Sequence, residues 1–161
     1  MAQPAEARTA DLTVVRERIR AGATQGHFYL ALLGLRAYEP MRAYLAVRKG
    51  LAFTAFERLQ RNTGLSARAL AEFAQIPKRT LARRKDEGRL EPEESDRLVR
   101  ISRVFGYALT LFDGDVDAAR QWLTSEQPAL GGIAPLELAG TDIGMTEVER
   151  LVGRLEHGIP A

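Results

Sequence analysis

The sequence contains no cysteine and only two histidines among its 161 residues. The lack of cysteine excludes disulfides, cysteine-bound zinc and thiol nucleophiles, and it favours a reducing cytosol as the location. The histidines, His27 and His157, lie too far apart in sequence to indicate a metal site. The longest apolar run, near Phe28 to Leu35, is far below the ~20 residues that cross a bilayer. We therefore expect a cytoplasmic protein with no cofactor, no metal and no membrane association.

Other functional signals are missing too. The first residues show no basic segment followed by an apolar stretch, so we expect no secretion signal. No serine-nucleophile motif, HExxH zinc motif or phosphate-binding glycine loop is present. These absences predict that the protein is not an enzyme.

Charge is unevenly distributed along the chain, although the net charge is only +2. Residues 51–90 carry nine basic and four acidic side chains, whereas residues 126–161 carry two and six. A basic front half and an acidic rear half indicate two different partners. The alternative is a chance distribution over a solvated surface.

Apolar residues recur mainly every three or four positions, and no strand-like alternation stands out, which predicts an all-α protein. Residues 1–10 lack any periodicity and are predicted to be a disordered tail. Proline, serine, aspartate and glycine then mark the helix ends. The first predicted helix begins at Pro40. The others cover Phe53–Leu59, Ala67–Ala74, Pro77–Gly88, Pro92–Phe112, Asp115–Leu123 and Thr141–His157.

The segment from Ser66 to Leu90 has the pattern of a helix-turn-helix unit, in which two short helices meet over a tight turn. Ala71 occupies the position where a small residue is needed. Gln75 occupies the turn position often held by glycine, which costs ~1 kcal/mol if φ must be positive. Arg84 stands at a position that is usually apolar. The alternative is a solvated basic helix in an ordinary bundle.

The second helix of this unit would enter the DNA major groove. Lys78, Arg79 and Arg83 are predicted to reach base edges, because arginine pairs bidentately with guanine. The predicted phosphate contacts, which position the protein on DNA, are Ser66, Arg68, Thr80, Arg84 and Lys85. Since such proteins commonly read two half-sites, we expect a homodimer.

From about Gly50 to Gly158 the chain resembles the Xre/MbcA/ParS antitoxin family. The motifs that carry the resemblance are RKGLAFTAFERL, IPKRTLARRKDEGRLEPEESDRLVRISRVF, DAARQWL and PALGGIAPLELAGTDIGMTEVERLVGRLEHG. The resemblance implies an Xre-like helix-turn-helix bundle at residues 41–112 and a small helical toxin-binding domain at residues 113–161, behind a partly disordered N-terminal extension at residues 1–40. It also implies a RES-domain toxin that degrades NAD as the partner, and repression of the shared promoter through operator DNA.

The acidic rear half and the C-terminal stretch RLEHGIPA supply the candidate toxin contacts. The acidic groups would complement basic groups around the toxin's NAD pocket, and the tail would cover its entrance. The alternatives are a solvated acidic face that includes Glu149, a frayed terminus, and a His157 that complements the helix dipole. The candidates are Glu137, Asp142, Glu147, Arg150, Arg154, Glu156, His157 and Ile159.

Three further features bear on the rear half. Trp122 is predicted to be a core residue, with an interface anchor as the alternative. Gly131 and Gly132 are predicted to serve the loop geometry, either by adopting positive φ or by allowing a close backbone approach. Ala134 replaces the threonine frequent in the family, so a helix cap worth ~1 kcal/mol is lost. Two rival functions stay open: a stand-alone transcription regulator without a toxin, and an interaction protein that no longer binds DNA.

Overall fold

The computed structural model describes residues 5–35 and 39–160, and every regular element within them is a helix. The only β-type pairings there are two isolated bridges, Ala52–Arg89 and Gln127–Ile133. The all-α prediction is confirmed. The α-helices are α1 (Ala5–Arg20), α2 (Pro40–Lys49), α3 (Phe53–Thr63), α4 (Ala67–Phe73), α5 (Lys78–Glu87), α6 (Pro92–Leu111), α7 (Val116–Thr124), α8 (Pro135–Leu138) and α9 (Asp142–Glu156), and short 3₁₀ helices cover Phe28–Leu33 and Pro128–Leu130.

Side-chain caps start α4, α7 and α9, and those at Ser66 and Asp115 were predicted from the sequence. The Ser66 hydroxyl accepts from the Ala69 amide at 3.1 Å, and the Asp115 carboxylate accepts from the Ala118 amide at 3.0 Å. The Thr141 hydroxyl accepts from the Gly144 amide at 3.0 Å, which starts α9. Each bond satisfies an amide that has no partner inside its own helix.

Helix α6 is the central element, and α2, α3, α7, α8, α9 and the first 3₁₀ helix all pack on it. Its apolar stripe is fully buried at Leu98, Ile101, Phe105 and Ala108. Gly106 lets the first 3₁₀ helix approach closely, because a Cβ there would lie 2.6 Å from Cβ of Tyr29. No helix in the described part of the chain is both long enough and apolar enough to cross a membrane.

The N-terminal segment contributes to the core. Residues 5–10 begin α1, so the predicted disordered tail is wrong there, and residues 1–4 lie outside the described residues. Leu12 and Val15 of α1 are buried, and so is every residue of the 3₁₀ helix Phe28–Leu33. The apolar pattern of this helix does not follow the 3.6-residue period of an α-helix, because a 3₁₀ helix has three residues per turn.

A buried polar network fastens α1 to the core. The Asp11 carboxylate accepts from Arg58 Nε at 3.0 Å, from Arg58 Nη2 at 2.6 Å and from Asn62 Nδ2 at 2.8 Å. Asn62 also donates to the Leu32 carbonyl at 2.9 Å. The hydrogen bonds from Asp11 raise the pKa of Arg58. One hydrophobic core therefore extends from Leu12 of α1 to Val152 of α9, and the division at residues 40 and 112 stays a prediction.

Candidate DNA- and toxin-binding sites

Helices α4 and α5 form the predicted two-helix unit. Leu70, Ala71, Ala74 and Ile76 are buried between them and the rest of the fold. Gln75 has φ 56°, so this turn position does require a positive φ, the case in which glycine would be favoured. We expect this conformation to cost roughly 1–2 kcal/mol relative to a right-handed one.

Polar contacts hold the turn in place. The Ile76 amide donates to the Ala71 carbonyl at 2.8 Å. Arg97 of α6 donates from Nε to the Ala74 carbonyl at 2.6 Å. The end of α4 is therefore fastened directly to the central helix, which fixes where α5 begins.

Helix α5 presents basic side chains to solvent. Lys78, Arg79, Arg83 and Lys85 are all exposed. Arg79 and Arg83 are four residues apart and share one face. Lys78 and Lys85 instead border a groove shared with α3. The exposed cations give α5 the charge needed to approach a phosphate backbone.

Arg84 does not belong to this exposed set, although the sequence analysis counted it among the phosphate contacts. Only 11% of its side chain is exposed. Its Nε donates to the two carboxylate oxygens of Glu94 at 3.1 and 2.8 Å, and Nη1 donates to Glu87 at 3.2 Å. The assignment of Arg84 to DNA is therefore corrected: this arginine joins α5 to α6.

The other predicted phosphate contacts differ in exposure and in their hydrogen-bond partners. Arg68 is exposed and pairs with Glu72 at 3.1 Å. The Ser66 hydroxyl is used as an acceptor in the α4 cap, so its proton stays available for donation. Thr80 is half-buried on the first turn of α5. The structure leaves Ser66, Arg68 and Lys85 accessible at the edges of the two-helix unit.

The rear half of the chain exposes one face of α9. Ile143, Glu147, Arg150 and Arg154 recur at helical spacing and are all exposed. Glu147 pairs with Arg150 at 2.7 Å. Ile143 is 79% exposed, the largest value among the exposed hydrophobic residues described. Ile143 was not among the predicted toxin contacts, although in the sequence it stands outside the Val148–Leu151–Val152 stripe of α9.

The eight predicted toxin contacts do not form one compact patch. Glu137 lies on α8 and Asp142 on the first turn of α9, while His157 caps the far end of that helix. A helix of 15 residues is about 22 Å long, so these ends are widely separated. The structure therefore divides the candidates into a helix start, the α9 face and a C-terminal end.

The C-terminal residues fold back on α9. A ring nitrogen of His157 binds the Gly153 carbonyl at 2.7 Å, and the Ile159 amide donates to the Arg154 carbonyl at 2.9 Å. Gly158 has φ 67°, which suits this helix-ending turn. Ile159 is 53% exposed at the tip. The end is thus a defined turn, with His157 placed to complement the helix dipole.

Glu137 faces a different part of the surface. It lines a cleft of about 500 Å³ together with Glu72, Gln75 and Glu126, at the junction of α4 with the rear half. Its carboxylate also accepts from the Ala134 amide at 3.4 Å. This contact serves the start of α8, where Ala134 itself provides no side-chain cap.

Glu149 pairs inward and does not belong to a solvated acidic face. Its carboxylate lies 2.6 Å from Arg103 of α6. Arg103 also donates to the Tyr107 hydroxyl at 3.3 Å. The neighbouring Tyr29 is buried and its hydroxyl contacts His27. Burial raises the pKa of Tyr29 to about 12, with Tyr107 and Glu149 adding to the rise and Arg103 opposing it.

Two expectations for the rear half agree with the structure. Gly131 and Gly132 have φ of 70° and 79°, so both adopt the predicted left-handed conformation. Trp122 packs partly buried against the core, with its ring centroid 6.3 Å from that of Phe112.

The fold and these surfaces define a class: a helix-turn-helix protein with a second helical unit built on the same central helix. Residues 42–103 match the family model described as the antitoxin Xre-like helix-turn-helix domain. Residues 108–158 match the antitoxin Xre/MbcA/ParS C-terminal toxin-binding domain. The chain belongs to the Xre antitoxin family.

Three curated relatives, each named Antitoxin Xre, support this membership. The protein of Photorhabdus laumondii is 33% identical over 114 residues, which is 70% of this chain and 77% of that protein. The protein of Yersinia enterocolitica is 45% identical over 85 residues, 52% of this chain and 57% of the relative. The protein of Pseudomonas putida is 32% identical over 84 residues, 52% of each.

Proposed function

We propose that this protein is an antitoxin that binds and blocks a RES-domain, NAD-degrading toxin and represses its own operon as a homodimer in the cytoplasm. One observation carries the proposal: a single chain combines an exposed cationic helix in a helix-turn-helix unit with a toxin-binding domain. The RES identity is supported by the resemblance of the sequence motifs given above.

The DNA-binding part of the proposal uses the exposed face of α5. Arg79 and Arg83 read guanine edges in the major groove, and Lys78 supports them at the start of the helix. Arg68, Lys85, Ser66 and Thr80 contact phosphates and set the register. Arg84 takes no part in this contact, because its guanidinium is held by Glu94.

The toxin-binding part uses the exposed face and the end of α9. Ile143 supplies an apolar anchor, and Glu147, Arg150 and Arg154 surround it with charge that fixes the register of the complex. The end formed by Glu156, His157 and Ile159 covers the entrance of the toxin's NAD pocket. Glu137 and Asp142 contact the toxin at the opposite end of the helix. Inhibition then requires no chemistry from the antitoxin, because excluding NAD is sufficient.

A co-expression experiment tests this function. The open reading frame next to the gene for this chain is expressed alone and together with it, and growth and NAD content are followed. We expect growth arrest and NAD loss from the toxin alone and recovery of both with the antitoxin. If the neighbouring gene is harmless, or if both defects persist, the antitoxin function is contradicted and the stand-alone regulator takes its place.

A further inference from the structure

Helix α2 exposes a continuous apolar stripe. Met41, Tyr44 and Leu45 are 66%, 52% and 52% exposed. Positions 41, 44, 45 and 48 share one helix face, and Arg48 donates to the Tyr44 hydroxyl at 3.0 Å. No residue of this helix is buried. A cluster of large apolar side chains on one solvent-facing helix marks a surface that another molecule covers.

The end of α2 is fixed against the end of α5. The Leu90 amide donates to the Leu51 carbonyl at 2.8 Å, and the Phe53 amide donates to the Gly88 carbonyl at 3.0 Å. Arg89 donates to the Gly50 carbonyl at 2.7 Å. Gly50 has φ 84°, and a Cβ there would collide with the Leu90 carbonyl. A molecule bound to α2 is therefore held at a set distance from α5.

We propose that the molecule covering α2 is a second copy of this chain, with the two α2 helices packed antiparallel across a two-fold axis. This inference rests on the proposed function, which requires a dimer, and adds where and in which orientation the copies meet. The Met41–Tyr44–Leu45 stripe is self-complementary in that arrangement, as a two-fold interface demands.

Charge selects the antiparallel orientation. Arg48 and Lys49 lie in the last turn of α2, and Glu39 stands just before its start, where it pairs with Arg42 at 3.3 Å. Antiparallel packing brings the two cations of each copy toward Glu39 of the other copy and opposes the helix dipoles. Parallel packing would place Arg48 against Arg48 and Lys49 against Lys49, where like charges repel. The charges at the two ends of α2 therefore favour a second copy of α2 packed in the antiparallel direction.

The arrangement serves DNA binding directly. One symmetric contact through α2 sets the separation of the two α5 helices, because α2 and α5 are joined through Gly50–Phe53 and Gly88–Leu90. Paired helix-turn-helix units read half-sites about one DNA turn apart, so this separation decides which operator spacing is accepted.

The absence of cysteine from all 161 residues permits a clean cross-linking test. Single substitutions Tyr44→Cys and Leu45→Cys lie at the midpoint of α2, where antiparallel copies bring each residue close to itself. Met41→Cys lies about 3.5 residues from the midpoint, which separates the two copies of that residue by about 10 Å along the axis. Disulfides require Cα atoms within roughly 7 Å. The matched control is Ile143→Cys on α9, a comparably exposed position.

We expect mild oxidation of the full chain to give disulfide-linked dimers with Tyr44→Cys or Leu45→Cys, and little with Met41→Cys or Ile143→Cys. Equal cross-linking at Met41 contradicts the antiparallel orientation. Cross-linking confined to Ile143 contradicts the α2 interface.

Light scattering of the unsubstituted chain and of Leu45→Glu completes the test, with circular dichroism to verify that the variant stays helical. We expect twice the chain mass for the unsubstituted protein and the single-chain mass for Leu45→Glu. A monomeric unsubstituted chain that still rescues growth overturns the dimer while leaving the antitoxin function intact. A Leu45→Glu variant that keeps the doubled mass also overturns it.

Discussion

The guanidinium of Arg84 and the carboxylate of Glu94 join α5 to the central helix α6, with Nε and Oε2 2.8 Å apart. The Glu94 carboxylate also accepts from the Glu91 amide at 2.8 Å, which caps the start of α6. Burial alone raises the pKa of Glu94, but the hydrogen bonds from Arg84 and the Glu91 amide, with the charges of Arg84 and Arg97, outweigh it and lower that pKa. One carboxylate thus orients α5 and starts α6.

The first prediction concerns acid stability. Because the pKa of folded Glu94 lies below its ordinary value of 4.5, the pair stabilises the fold above that pH and loses its effect as pH falls through the folded pKa. Glu94→Gln should lower the urea midpoint at pH 7, and its difference from the unsubstituted protein should shrink below pH 4.5. Urea unfolding at several pH values measures this. Glu93→Gln, an exposed neighbour, should behave like the unsubstituted protein throughout.

DNA binding provides the second prediction. Arg83→Ala should cost ~1–3 kcal/mol at the preferred operator and relax its base preference, because a bidentate guanine contact is lost. Lys85→Ala should weaken binding to all sequences and reduce the slope of log K against log salt by about 0.9. Fluorescence anisotropy with promoter DNA across a salt series measures both effects. Arg150→Ala on α9 serves as the control, and a loss as large as that of Arg83→Ala would contradict the assignment of DNA binding to α5.

The N-terminal segment, outside both family matches, is predicted to be essential for stability. Leu30 is fully buried on α6, so Leu30→Ala should destabilise the fold by about 2–5 kcal/mol. Val14→Ala on the outer face of α1 should change stability by less than about 0.5 kcal/mol. Thermal and denaturant unfolding measure the difference. Equal stability of the two variants would contradict the claim that the 3₁₀ helix Phe28–Leu33 stabilises the hydrophobic core.

The fourth prediction is that the exposed face of α9 and its C-terminal end have different roles toward the toxin. Ile143→Asp should weaken toxin binding at least ~10-fold, since an exposed apolar anchor is lost at an interface. Truncation after Glu156 should leave binding largely intact but reduce inhibition, if the turn of His157 to Ile159 covers the NAD pocket. Calorimetry and NAD hydrolysis assays measure the two effects separately. Val14→Asp is the matched control, and a loss of binding from it would indicate misfolding.

Alkaline titration tests the cluster around Tyr29. Because burial raises its pKa to about 12 from 10.0, the folded state gains stability below pH 10 that is lost as pH rises through 12. Tyrosinate absorbance should show the Tyr29 hydroxyl ionising about two pH units above its ordinary pKa, and Tyr29→Phe should remove that late step. A late step that persists in the variant would assign it to another tyrosine.

Several helix boundaries between residues 66 and 157 could be predicted because they depend on local chemistry. Ser66, Asp115 and Thr141 cap helices through their own side chains, and Gly88 ends α5 with φ 75°. The unusual φ of Gln75 was also foreseen as a condition of the turn. These features involve contacts within a few residues of each other.

Features that depend on distant partners could not be predicted in the same way. Arg84 was recognised as a charge at an apolar position, yet its burial against Glu94 depends on the angle between α5 and α6. The run Phe28–Leu33 was read as an apolar segment, but its 3₁₀ form depends on packing over Gly106. The open face of α2 was invisible because Met41, Tyr44 and Leu45 look like core positions in sequence.

The most direct test of the central claim is inhibition of the purified toxin. The product of the neighbouring gene, which the account predicts to be a RES-domain toxin, is incubated with NAD while this chain is titrated in, and NAD consumption is followed. The account predicts saturable loss of activity that is complete near stoichiometric antitoxin and is weakened by Ile143→Asp. Undiminished NAD consumption at excess antitoxin, with a folded chain that binds promoter DNA, would contradict it.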